Sequence, residues 1–153
     1  MKISLEELKK LRTETGAGVM DCRQALTEAK GDLKKAKEWL KTRGAQIAAK
    51  KEDRKTKIGL VEAYIHSNGL VGALVKLGCE TDFVAQTKEF KKLAHELAMQ
   101  VVAMKPQNVK ELTDQDYIRD PQKKIADLVK EVVAKTGENV KIKEIARLEF
   151  GEE

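Results

Sequence analysis

Cysteine, histidine and aromatic residues are all scarce among these 153 residues, and each scarcity closes off a class of function. Cys22 and Cys79 are far apart and belong to no CxxC pair, so neither a disulfide framework nor a zinc site is indicated. Both read as reduced thiols. Aromatic residues make up only 4%, too few for the stacking platforms that hold single-stranded nucleic acid. No stretch approaches the roughly 18 apolar residues that span a bilayer. The N-terminus, MKISLEELKK, is charged and amphipathic, without the apolar run of a signal peptide. The expectation is a soluble, cytoplasmic protein with no membrane partner.

Catalytic constellations are equally thin. His95-Glu96 is followed by Met99 where a zinc protease needs a second histidine. Gly16 and Gly18 imitate part of a glycine-rich loop, but no strand precedes them and no Gly-Lys-Ser/Thr follows, which rejects a phosphate-binding loop. Asp114 and Asp116 lack the glycine and distal glutamate of a calcium loop. The only histidines, His66 and His95, fall on different elements, and His95 reads as an ordinary helix residue. No metal, no cofactor and no enzymatic chemistry are expected.

What is present is charge and patterned apolar residues. Charged residues make up 36% and hydrophobic ones 41%, enough for a core under a heavily solvated surface. The net charge of +5 favours acidic partners. Residues 1–45 read as three short helices. Ser4 and Glu7 form a capping box ahead of Leu5, Leu8 and Leu11, and Thr15-Gly16-Ala17-Gly18 breaks that helix. Cys22, Ala25, Leu26 and Ala29 form the stripe of the second, which Gly31 ends. Asp32 caps the third, which buries Leu33, Ala36, Trp39 and Leu40 and which Gly44 is expected to stop. Residues 46–57 read as a basic connector, usually no more than a solvated linker.

The period then changes from helical to two. Residues 58–66 and 70–79 read as strands joined by the tight turn Ser67-Asn68-Gly69. Val61, Ala63 and Ile65 share one face and Leu60, Tyr64 and His66 the other; Val71, Ala73, Val75 and Leu77 oppose Leu70 and Leu74. Both faces are thus apolar, whereas an antiparallel sheet in water usually keeps one polar face. Helices of so small a chain cover one face, and a second sheet in a two-fold homodimer is expected on the other. A helix over roughly 86–103, a loop over 107–119, a helix capped by Asp120-Pro121 and ended by Gly137, and a last strand with Val140, Ile142, Leu148 and Phe150 complete the reading. The fold class is α+β: a three-helix module (1–45), a linker (46–57) and a core of antiparallel sheet with helices on one face (58–153).

One segment resists a purely structural reading. Cys79-Glu80-Thr81-Asp82-Phe83-Val84-Ala85 lies where a strand gives way to a helix. Thr81 or Asp82 could be a plain N-cap and Phe83 the hydrophobic staple beside it. Equally, an aromatic beside a carboxylate on a rigid corner could pry a partner's packing apart. The sequence leaves the two open.

Several segments together resemble the elongation factor Ts family. They are Leu11-Arg12, Thr15-Gly16-Ala17-Gly18-Val19-Met20-Asp21-Cys22, Ala25-Leu26, Trp39-Leu40, Tyr64-Ile65-His66, the Cys79-Glu80-Thr81-Asp82-Phe83-Val84-Ala85 run and Thr136-Gly137-Glu138-Asn139 followed by Val140. The resemblance implies a ubiquitin-associated-like N-terminal bundle and a guanine nucleotide exchange factor. Such a factor binds elongation factor Tu, GDP-bound or nucleotide-free, loosens its magnesium and phosphate site and lets GDP leave. It further implies that Asp82 and Phe83 intrude, with Thr81 and Val84 beside them, and that Arg12, Val19 and Met20 dock on the same domain of the partner. Longer relatives carry a second strand-turn-strand unit whose histidine presses toward the partner. Here there is one such turn, so His66 is a candidate contact only if a dimer supplies the missing half. The 104–120 region is also abbreviated.

Two other readings compete. Arg43, Lys50, Lys51, Arg54, Lys55 and Lys57 could bind RNA, against which stand Glu52, Asp53 and the few aromatics. The three-helix module alone suggests a ubiquitin-type adaptor, but Gly16-Ala17-Gly18 lacks an aromatic for that purpose.

Overall fold

A computed structural model of the chain describes residues 2–151. Its first three helices are α1 (Leu5–Thr15), α2 (Val19–Glu28) and α3 (Leu33–Lys51). The expected caps start two of them. Ser4 Oγ accepts from Glu7 N–H at 3.1 Å while Glu7 accepts from Ser4 N–H at 3.2 Å. Asp32 accepts from Lys34 and Lys35 N–H at 2.9 and 3.1 Å. Leu11, Cys22, Ala25, Leu26 and Ala36 form their small core, with Leu8, Leu33, Trp39 and Leu40 packed around it.

Gly44 does not stop α3, contrary to the sequence expectation. The helix runs on to Lys51, so the first half of the expected linker is helical and only residues past it form a loop. A lone glycine inside a helix costs only about 1 kcal/mol relative to alanine, and tertiary packing outweighs it here. A Cβ at Gly44 would lie 3.6 Å from the Ala134 methyl, on the helix that α3 packs against.

The second core is larger. Strands β1 (Ile58–Ile65), β2 (Val71–Cys79) and, late in the chain, β5 (Lys141–Glu149) form one antiparallel sheet in the order β1-β2-β5. Asn68 accepts from Leu70 N–H at 2.9 Å and Gly69 takes a positive φ of 72°, which closes the expected turn. At Gly59 a Cβ would sit 1.9 Å from the Leu77 carbonyl oxygen, so only glycine lets β1 approach β2 there. Helices α4 (Asp82–Ala85), α5 (Lys88–Met104), α6 (Val109–Asp114) and α7 (Ile125–Thr136) accompany the sheet. Ala73, Val75 and Leu77 of its inner face share a core with Phe90, Leu93, Leu97 and Val101 of α5 and Val132 and Val133 of α7.

Two expectations between α5 and α7 fail. Residues 107–119 are not loop throughout, because Asn108 caps α6 by accepting from Glu111 N–H at 2.8 Å. Asp120-Pro121 does not cap α7 either. It opens β4 (Asp120–Lys124), which pairs with β3 (Asp116–Tyr117), and α7 starts after Lys124, whose N–H donates to Asp127 at 3.0 Å. Buried polar groups on α5 hold that hairpin. Gln100 donates to the Asp116 carbonyl at 3.0 Å and accepts from Ile118 N–H at 3.1 Å, while Tyr117 donates to Glu96 at 2.6 Å.

The outer sheet face divides the strands as their alternation predicts. Val61, Ile65, Leu70, Leu74, Leu148 and Phe150 are all exposed, the last two by 81% and 82%. Part of this face forms an open depression of about 560 Å³ lined by Ile65, Leu70, Leu74, Ala146, Leu148 and Phe150. An apolar patch of this kind on a sheet is the usual mark of an interaction surface.

Candidate functional site

The corner after β2 is built from both ends of the core. Cys79 is fully buried, and its thiol donates to the Thr81 carbonyl at 3.2 Å. Burial pushes this thiol's pKa up, and the nearby Glu138 carboxylate adds to the effect. Thr81 then caps α4, its hydroxyl accepting from Val84 N–H at 3.4 Å. The plain structural reading therefore holds for Thr81.

It does not hold for Phe83. A hydrophobic staple is buried against the helix it precedes, whereas Phe83 is 87% exposed. Asp82 beside it is exposed as well. Val84 and Ala85 turn the other way, at 7% and 8% exposure, and belong to the core. Val84, expected among the surface contacts, is thus an anchor. Its burial and the Thr81 cap fix the backbone from which Asp82 and Phe83 project.

Residues from the far end of the sequence complete this corner. The Glu138 carboxylate accepts from Glu80 N–H at 3.1 Å, from Thr81 N–H at 2.9 Å and from the Thr81 hydroxyl at 2.7 Å. In return Glu80 accepts from Asn139 N–H at 2.8 Å, and Arg54 lies 3.7 Å from the same oxygen of Glu80. The Asn139 side chain, almost fully buried, donates to the Glu52 and Arg54 carbonyls at 3.2 and 2.7 Å. Sequence reasoning gave none of Glu80, Glu138 and Asn139 a role. They lie 57 to 87 positions apart from these partners, so no local spacing could have found them.

The remaining candidates fall into two places. Arg12, Val19 and Met20 surround the turn between α1 and α2, where Val19 and Met20 are 43% and 72% exposed. That turn touches α7: a Cβ at Gly16 would lie 2.5 Å from the Lys135 ammonium. Lys51, at the end of α3, donates to the Gly137 carbonyl. The N-terminal turn and the Thr81 corner are therefore both tied to the end of α7. His66 is not with them. It sits at the β1–β2 turn, exposed, with its Nδ1 3.4 Å from the Tyr64 hydroxyl. The length of β2 separates that turn from Cys79, about 27 Å at the usual rise per residue. Among the described residues no cluster of three or more histidine, cysteine or carboxylate side chains could hold a metal ion.

These features define a two-core α+β protein that displays an acid and an aromatic side chain on a braced corner, with a second exposed apolar turn tied to the same end of α7. Comparison with known proteins gives the class a name. The family profile described as elongation factor TS matches residues 80–153, and the one described as elongation factor Ts, mitochondrial, N-terminal matches residues 1–48. A protein named elongation factor Ts from Thermotoga neapolitana is 41% identical, the match covering 100% of each chain. One of the same name from a Thermoanaerobacter species is also 41% identical, covering 98% of this chain and 96% of its own. A third, from Rippkaea orientalis, is 38% identical over 99% of this chain and 79% of its own. The chain belongs to the elongation factor Ts family. Its alignment with the Thermotoga neapolitana protein runs over 196 positions against 153 residues here, so that relative has segments without a counterpart in this chain.

Proposed function

We propose that this chain is a guanine nucleotide exchange factor for elongation factor Tu. It binds the GDP-bound partner, disturbs its magnesium and phosphate site and promotes GDP release. The observation that carries the reading is Phe83, an aromatic side chain left 87% exposed on a corner held by the Thr81 cap before it and the buried Val84 after it. An exposed phenyl ring has no folding advantage, whereas burial in a partner recovers its hydrophobic transfer energy. Phe83 wedges into the partner's nucleotide-binding domain, and Asp82 displaces the elements that hold the magnesium ion. Thr81 and Val84 hold that pair in place. Arg12, Val19 and Met20, on a three-helix module of the ubiquitin-associated type, supply the second contact.

The action follows from linkage. A factor that prefers the nucleotide-free GTPase over the GDP-bound one must weaken GDP binding by the same factor. The reading needs no covalent chemistry, no cofactor and no nucleic acid, and it places the protein in the cytoplasm beside its partner. The test is release of a fluorescent GDP from purified elongation factor Tu under excess unlabelled GDP. Added protein should accelerate release in a saturable manner. An unaltered rate at every concentration would remove the reading.

A two-fold dimer belongs to the same proposal. Exposed Val61, Ile65, Leu70, Leu74, Leu148 and Phe150 support it, as does a three-stranded sheet that holds, among the described residues, one strand-turn-strand unit, β1–β2. In a dimer the partner copy would supply the second turn and its His66. Sedimentation at micromolar concentration should give a dimer; a clean monomer there would withdraw this part and leave the exchange reading standing.

A further inference from the structure

We infer that Glu138 is the positioning residue for the Asp82–Phe83 pair, an inference that rests on the exchange reading. The helix carrying that pair, α4, has four residues and cannot hold its own geometry. Its direction must be imposed from outside. Glu138 is the group placed to impose it, because a single carboxylate takes three donors from Glu80 and Thr81, at 3.1, 2.9 and 2.7 Å.

The hydroxyl bond matters most. By accepting the hydrogen bond of the Thr81 hydroxyl at Oε2, Glu138 turns the lone pairs of the hydroxyl oxygen toward α4, where one accepts from Val84 N–H. The cap on α4 is therefore set through Glu138. Hydrogen bonds to a charged acceptor are shorter and stronger than neutral ones, so this anchor resists the reaction force of a wedge better than Thr81 alone.

Glu138 also stands next to the contacts that tie in the N-terminal module. Gly137, with φ 76°, ends α7 and aims Glu138 at the corner, while its carbonyl accepts from Lys51 of α3. Lys135 in the last turn of α7 lies against Gly16 in the α1–α2 turn. One short joint, 135–139, thus sets where the corner sits relative to the α1–α2 turn. A factor that docks by one patch and works by the other needs that spacing fixed.

The test is a double-mutant cycle on GDP release from elongation factor Tu, using the full chain as wild type, Glu138→Ala, Phe83→Ala and the double variant. At saturating protein, Glu138→Ala should lower the maximal rate about tenfold, the worth of one charge-assisted hydrogen bond. The half-saturating concentration should move less than about threefold, because the Arg12–Met20 patch is untouched. In the Phe83→Ala background the same substitution should cost no more than about threefold, because only the placement of Asp82 is left to lose. A merely structural role would give equal losses in both backgrounds and would overturn the inference. So would a maximal rate for folded Glu138→Ala within about twofold of wild type. Should the alanine variant melt below the assay temperature, Glu138→Gln carries the comparison. It keeps an acceptor for the two N–H groups but loses the charge, and a loss of about threefold that shrinks in the Phe83→Ala background is expected. Wild-type protein that fails to accelerate release overturns the exchange reading and this role with it. A large Phe83→Ala loss beside a silent Glu138 removes only the positioning role.

Discussion

Replacing Phe83 by alanine should separate folding from the proposed exchange activity. A phenylalanine side chain offers about 200 Å², of which 87% is free here. Burying that area in a partner at about 25 cal/mol per Å² stabilises the complex by roughly 4 kcal/mol before ordering costs, which are small for a side chain with two torsions. Part of this is recovered by the alanine methyl and by relaxation of the partner's pocket. A loss of about 2–3 kcal/mol remains, equivalent to roughly thirty- to hundred-and-fifty-fold in the efficiency of GDP release. The same ring makes almost no contribution within its own chain, so the stability of the folded protein should change by less than about 0.5 kcal/mol. The assay is stopped-flow release of fluorescent GDP, with thermal melts of both proteins alongside. A Phe83→Ala protein that melts several degrees lower yet exchanges within threefold of wild type would show the ring to be a staple after all. The reasoning from exposure would then be refuted.

Other outcomes test the fold beneath the corner. Gly44→Ala should stabilise the protein by about 0.5–1 kcal/mol in urea unfolding, since the residue is helical and the added methyl meets Ala134 at an ordinary 3.6 Å. A destabilised variant would mean that α3 and α7 approach more closely than described. Gly59→Ala should cost about 3 kcal/mol or more, or prevent folding, because its Cβ would fall 1.9 Å from the Leu77 oxygen; a near-neutral result contradicts the strand register. Burial, then the hydrogen bond to Glu96, pushes the Tyr117 hydroxyl's pKa up to about 12 from 10. The unfolded chain therefore loses this proton first as pH rises. The stabilisation is complete below pH 10 and falls away between about 10 and 12, by on the order of 2 kcal/mol. Urea midpoints of wild type and Tyr117→Phe should converge over that range, and parallel curves would contradict the Tyr117–Glu96 bond.

Period and caps carried most of the fold into view. Ser4, Glu7 and Asp32 announced two helix starts, and strand alternation sorted Leu60 and Tyr64 from Val61 and Ile65 correctly. The misreadings have local causes. Gly44 was given the weight of a terminator although a glycine with helical torsions only weakens a helix, and α7 packs across it. The α6 signal was present, since Asn108 with Glu111 is a capping pattern, but its helix is too short to show a stripe. At Asp120-Pro121 the proline suited a helix start, yet backbone pairing with Asp116 and Tyr117 took the segment into a hairpin. The site divides the same way. Thr81 as a cap was legible from spacing, whereas the choice between staple and wedge for Phe83 required its exposure. Glu138 and Asn139 stand in the Thr136–Asn139 segment that carries part of the family resemblance, but their bonds to the corner, like the contact of Lys135 with Gly16, arise only from tertiary folding.

The central claim is thermodynamic, so its most direct measurement is a closed cycle of affinities. Isothermal titration should give the affinity of this protein for elongation factor Tu in its GDP-bound and nucleotide-free forms, and the affinity of GDP for the partner with and without this protein. The account predicts much tighter binding to the nucleotide-free form, with the two ratios equal within error. Equal affinity for both forms of the partner would contradict it, however tightly the two proteins bind.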